Sequence, residues 1–127
     1  MENQYEDEFL SIKIINGIIN CYTKKEMVIT YEFAQFALEN RIKISGNKFY
    51  PLLNDVRNVK YMTKDAMNLL NSDKGTSYLT AGAFIINSKV HEIIGNFFIK
   101  FKNHKVPARV FTDKSKAIQW LEQYKVS

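Results

Sequence analysis

The stretch Leu79–Ile86, reading LTAGAFII, constrains this chain most. It carries no charge and shows no polar alternation, and it is too short for a typical buried helix. Such a run suits a strand covered on both faces, because a half-exposed strand alternates apolar with polar residues. Gly82 and Ala83 lie in its middle, where small side chains let covering elements approach closely. A strand covered twice requires layers on both sides, which points to an α/β domain.

The flanking segments supply those layers. Leu10, Ile12 and Ile14 alternate with Ser11 and Lys13, the period-two pattern of a half-buried strand. Asn16 and Gly17 follow, and both tolerate positive φ, so Ile18–Tyr22 reads as the return strand of a hairpin. Thr30 is a suitable N-cap for a helix reaching Lys43, with Phe33, Phe36, Ala37, Asn40 and Ile44 on one side. Ser45, Gly46 and Asn47 end it. Residues 49–56, FYPLLNDV, form a short apolar strand in which Pro51 belongs near the start, since it cannot donate to a ladder.

Residues 60–62 lead into a second helix capped by Thr63, with Asp65 in the first turn, where a negative charge suits the helix dipole. Ala66, Leu69 and Leu70 form its apolar stripe. Val90, Ile93, Ile94, Phe97, Phe98 and Phe101 follow helical spacing and predict a third helix capped by Asn87 or Ser88. Ala108–Phe111 reads as a strand. Thr112 or Asp113 then caps a fourth helix bearing Ala117, Trp120, Leu121 and Tyr124. The predicted order, β-β-α-β-α-β-α-β-α, implies a single mostly parallel sheet with an N-terminal β-hairpin and four helices covering it. With no repeat or linker, residues 1–127 read as one domain with its core over about 8–125 and a flexible stretch at 1–7.

Charge and composition narrow the function classes. The net charge is +5, from 18 basic and 13 acidic residues. Residues 1–60 carry eight of each sign, so the whole excess falls in 61–127, most densely from Lys100 to Lys116. Lysine dominates that region, and lysine is poor at bidentate recognition. No stacking aromatics alternate with it on a predicted sheet face, so a nucleic-acid partner is not expected. No apolar run is long enough for a membrane-spanning helix. The acidic start MENQYEDE lacks the features of a secretory signal, and a cytoplasmic setting is expected.

The usual catalytic and metal-binding patterns are absent from the sequence. Cys21 is the sole thiol and sits in a strand pattern, which favours a structural role. His91 and His104 show no metal-ligand spacing. The scattered glycines form no phosphate loop. Asp55, at a predicted strand end, and Asp65, at the next helix start, are the one carboxylate pair that a cleft could bring together. Each also has an ordinary structural explanation, so no catalytic residue, metal or cofactor is expected. Ile99 lies opposite the apolar stripe of the third predicted helix. With the basic C-terminal region it argues for a homodimer. Core packing accounts for most of the nine Phe and seven Tyr, and any surplus would suit the lining of an apolar ligand pocket.

The element order and four stretches, FYPLLNDVRNV at 49–59, TKDA at 63–66, SKVHEIIGNFFIKF at 88–101 and PARVFTDKSKAIQWL at 107–121, give the chain a family likeness. Over about residues 8–125 it resembles the STAS-like domains of the SpoIIAA-like kind, and more narrowly a small uncharacterised group of stand-alone STAS-like proteins common in Bacteroidetes. The resemblance implies a non-catalytic protein-interaction or regulatory module with an unidentified protein partner. In anti-sigma-factor antagonists of this kind, a motif resembling Asp-Ser-Ser-Gly-Leu carries a phosphorylated serine. Here the matching stretch is Thr63-Lys64-Asp65-Ala66-Met67, with Asp65 at the serine position. A fixed carboxylate lacks the second charge and the geometry of a phosphate. Tyr61, Thr63, Lys64 and Asp65 are the expected partner-binding residues. The related Sec14-like lipid-binding folds imply an alternative, a carrier or sensor of a small apolar ligand.

Overall fold

The structure is a computed structural model, and it describes residues 4–87 and 106–126. Its strands are β1 (Gln4–Glu6), β2 (Leu10–Ile15), β3 (Ile18–Thr23), β4 (Met27–Ile29), β5 (Tyr50–Asp55), β6 (Val59–Met62), β7 (Leu79–Ile85) and β8 (Ala108–Phe111). Its α-helices are α1 (Tyr31–Ser45), α2 (Lys64–Leu70) and α3 (Lys114–Leu121), and a 3-10 turn at Glu122–Tyr124 follows α3.

The main sheet has six strands in the order β1-β2-β3-β5-β7-β8. β1, β2 and β3 pair antiparallel, whereas the β3–β5, β5–β7 and β7–β8 pairings are parallel. The expected single, mostly parallel sheet is therefore corrected to a mixed sheet plus a separate two-stranded parallel sheet, β4–β6. The three residues of β4 and four of β6 are too few to display a strand period, so only their mutual pairing defines them. Residues 60–62, read as a lead-in to a helix, belong to β6. Gln4–Glu6, in the stretch expected to be flexible, pair with β2. Among the described residues there are three α-helices rather than four. The helix expected over 88–101, with Ile99 and His91, lies outside the described residues, as does His104.

The local signals explain the elements. Asn16 and Gly17 both take positive φ, 51° and 78°, and close the β2–β3 hairpin. Thr30 and Thr63 accept from the backbone N–H of Phe33 and Ala66 at the starts of α1 and α2. Asp113 does the same for α3 through Ser115. Gly46 ends α1 in the left-handed conformation, φ 59°.

β7 lies between β5 and β8, and its residues from Ala81 onward are buried on both faces. Phe84 and Ile86 pack with Ala34 of α1 and Ala66 of α2. Ala81, Ala83 and Ile85 pack with Ala117 and Leu121 of α3. Thus α1 and α2 cover one face and α3 covers the other. A third group of buried residues, including Leu10, Ile12, Ile19 and Leu52, lies beneath the C-terminal half of α1 around Ile44.

The buried face of α1 differs from the expected one. Ala34, Leu38, Arg41, Ile44 and Ser45 are buried, while Phe36 is exposed and meets the Tyr5 ring edge-on at 5.4 Å. The side chain at 41 is charged, and a hydropathy pattern assigns a charge to the solvent face, which displaces the apparent stripe.

Candidate functional site

The rim around residues 60–66 is built from β6 and the first turn of α2. Thr63 donates its N–H to Ile29 O at 3.0 Å, which ties the α2 cap to the end of β4. Its hydroxyl donates to Asp65 Oδ1 at 2.5 Å, and Asp65 Oδ1 also accepts from the Ala66 N–H at 2.9 Å. The Asp65 carboxylate is thereby engaged by its own helix start. Val28 of β4 and Tyr61 of β6 are register partners. They are 40% and 53% exposed, while Ile29, Val59 and Met62 on the inner side of the same ribbon are buried. Tyr31, at the start of α1, is also exposed. The four sequence-predicted residues thus share one rim, with Tyr61 presented outward and Thr63 committed to capping. Val28 was missed, because it becomes a neighbour of that rim only through β4–β6 pairing.

Behind this ribbon lies a cavity of about 80 Å³ between α1 and the sheet. Its wall is mainly apolar and includes Leu10, Ile29, Phe33, Leu38, Val59 and Met62. Arg41, Cys21, Thr23 and Asn54 interrupt it. Arg41 is only 5% exposed. Its Nη1 donates to Ser77 O at 3.0 Å and its Nη2 to Gly75 O at 3.1 Å. Among the described residues no carboxylate pairs with it. Burial pulls its guanidinium down to about 10, so it still holds its proton at neutral pH. Desolvation pushes the Cys21 thiol up to about 11, with the Arg41 charge opposing. Cys21 is therefore a protonated, unreactive thiol near pH 7, in keeping with a structural role. Sequence reasoning missed Arg41 as a site residue, since nothing in its spacing marks it as buried.

The other face of the sheet carries a polar groove of about 360 Å³ beside α3, lined by Lys13, Tyr22, Asp55, Arg57 and Lys114 among others. Arg57 clamps Asp55, with Nε to Oδ1 at 3.0 Å and Nη2 to Oδ2 at 2.7 Å. Asp55 also accepts from the Arg57 backbone N–H at 3.2 Å. Asp65 lines neither this groove nor the cavity, so the fold does not unite the two carboxylates. Among the described residues no group of three His, Cys, Asp or Glu could hold a metal ion. Also among them, no helix is long and apolar enough to cross a membrane.

Comparison with known proteins agrees with this architecture. The chain is similar to the crystal structure of an uncharacterised protein of the DUF3478 family with a SpoIIAA-like fold, from Shewanella loihica PV-4. The TM-score is 0.64 at 17% sequence identity, covering 92% of this chain and 97% of that one. The protein thus has the SpoIIAA-like fold that its sequence resembles. No curated protein matches it. Residues 12–125 match the family described as Domain of unknown function (DUF7793), and the chain belongs to that family.

Proposed function

We propose that the protein is a non-catalytic interaction or regulatory module that works by contact with another protein through the β4–β6 rim. The observation that carries this reading is the outward Val28–Tyr61 pair, two large side chains left exposed on a ribbon whose inner side is buried. Aromatic residues at such positions supply much of the binding energy of protein interfaces. Lys64 and the paired Lys60 and Glu26, 3.8 Å apart, put charge around the pair. An apolar centre with a charged surround is the usual anatomy of a contact patch.

Photo-crosslinking in the native cell tests this reading. A crosslinking amino acid replacing Tyr61 should yield a discrete protein adduct that Val28→Glu removes. The same probe at Phe49, exposed elsewhere, should not yield that adduct. Identical adducts from both positions would show that the rim has no special partner.

A second reading, a carrier or sensor of a small apolar ligand, is favoured by the cavity behind the ribbon. Ile29, Val59 and Met62 line it from the inner side of the strands that present Val28 and Tyr61.

A further inference from the structure

The Arg41 guanidinium is the least expected group in the interior. Removing a charge from water is costly unless it is paired, and buried charges in proteins normally have an opposite charge or a dense set of hydrogen bonds. Arg41 has two backbone carbonyls, which satisfy two of its N–H donors and neutralise none of its charge. Gly75, whose oxygen takes the Nη2 bond, lines the same cavity as Arg41, so the charged end of the side chain lies at the cavity wall. Thr23 and Asn54 also line it, and neither side chain has a hydrogen-bond partner among the described residues. A cation and two uncommitted polar groups therefore share an otherwise apolar chamber.

We propose that this cavity binds a short aliphatic carboxylate, its carboxyl group on Arg41 and its alkyl end on the apolar wall that includes Leu38. The proposal rests on the apolar-ligand reading and adds the chemical class of the ligand. One guanidinium matches one carboxylate in charge, and its planar fork matches the two oxygens in shape. The hydroxyl of Thr23 and the amide of Asn54 add donors of the kind a carboxylate accepts from. The cavity's 80 Å³ is about half the ~150 Å³ that takes up benzene in an engineered protein core, which limits the ligand to roughly three or four non-hydrogen atoms. Acetate is of that size. Burial disfavours the charged guanidinium, and a bound anion would offset that cost.

NMR titration of the full chain with acetate, ethanol and ethylamine tests the assignment. Acetate should shift the amide signals of Thr23, Leu38 and Asn54, with ethanol binding there about tenfold or more weakly and ethylamine not at all. Arg41→Met should remove the preference for acetate over ethanol, and Arg41→Lys should retain part of it. If Arg41→Met does not fold, the three-ligand comparison on the unaltered protein decides. Equal binding of acetate and ethanol would overturn the carboxylate assignment and leave the apolar-ligand reading standing. Failure of both to reach these signals, or acetate shifts confined to surface lysines, would overturn both. Undiminished acetate binding by a folded Arg41→Met would also overturn the role of Arg41.

Discussion

Arg41 reaches across to the carbonyl oxygen of Gly75, 34 residues along the chain, and holds it at 3.1 Å. That contact fixes the turn after α2 against the helix that covers the sheet. Gly75 has no room for a larger residue. A Cβ there would lie 2.3 Å from Leu69 O and 2.4 Å from Leu70 O, both fixed backbone atoms. Gly75→Ala should therefore destabilise the fold by about 2 kcal/mol or more, read as a lower urea midpoint at unchanged slope. Wild-type stability in this variant would mean that the turn shifts freely and that Arg41 does not depend on it.

Thr63 serves α2 as a cap, not only the rim as a contact. Its hydroxyl oxygen accepts from the Ala66 N–H at 3.3 Å and its proton goes to Asp65. Thr63→Ala should cost about 1 kcal/mol in chemical denaturation, while Thr63→Ser should restore most of it. A loss of partner contact with Thr63→Ala but not Thr63→Ser would follow from helix fraying alone.

Acid should loosen the β1–β2 edge before the core. The Tyr5 hydroxyl, 2.6 Å from Asp7 Oδ2, is the largest influence holding the Asp7 carboxyl below its usual range, with the Phe9 and Leu10 N–H groups adding to it. Lys13 and then Lys24 lower Glu6 on the same edge. A carboxylate lowered in the folded state gives stability that is complete above its unfolded pKa, near 4. That stability is lost as pH falls through the lower folded value. Amide exchange at Phe9 and Leu10 should therefore speed up below about pH 4 relative to Ala83. Asp7→Asn should weaken this pH dependence.

The two faces of β7 should respond differently to substitution. Ala83 and Ala117 are fully buried in one group with Leu53, Ile85 and Leu121. Ala83→Leu should cost about 1–3 kcal/mol through overpacking against α3. Phe84, 2% exposed beneath α1 and α2, fills the opposite side. Phe84→Ala should cost about 3–5 kcal/mol by leaving a cavity there. Denaturation midpoints for the pair measure both, and near-neutral values for both would contradict burial of this strand on two sides.

Much of the architecture was legible where a residue type has one dominant physical use. Asn16-Gly17 marks a tight turn because both positions accept positive φ, and both do so here. Thr30 and Thr63 mark helix starts because a hydroxyl can accept a free N–H, and both caps form. Tyr61, Thr63, Lys64 and Asp65 were legible as one rim because they are neighbours in sequence. Val28 was not, since β4 meets β6 only through a pairing that joins residues more than 30 positions apart. Arg41 was illegible for a different reason. Hydropathy places arginine in water, and the turn carbonyls of Gly75 and Ser77, far along the chain, hold its charged end inside.

Residue pattern was enough to make Leu79–Ile85 an interior strand, to turn the hairpin at Asn16-Gly17, and to start helices after Thr30 and Thr63. Those outcomes depend on backbone preference and local burial, which act over a few residues. Long-range pairing and packing were needed to make the sheet mixed, to join β4 and β6 in a second small sheet, and to put a guanidinium on the wall of an apolar cavity. These depend on contacts between distant segments, whose energies exist only once the chain has closed around them.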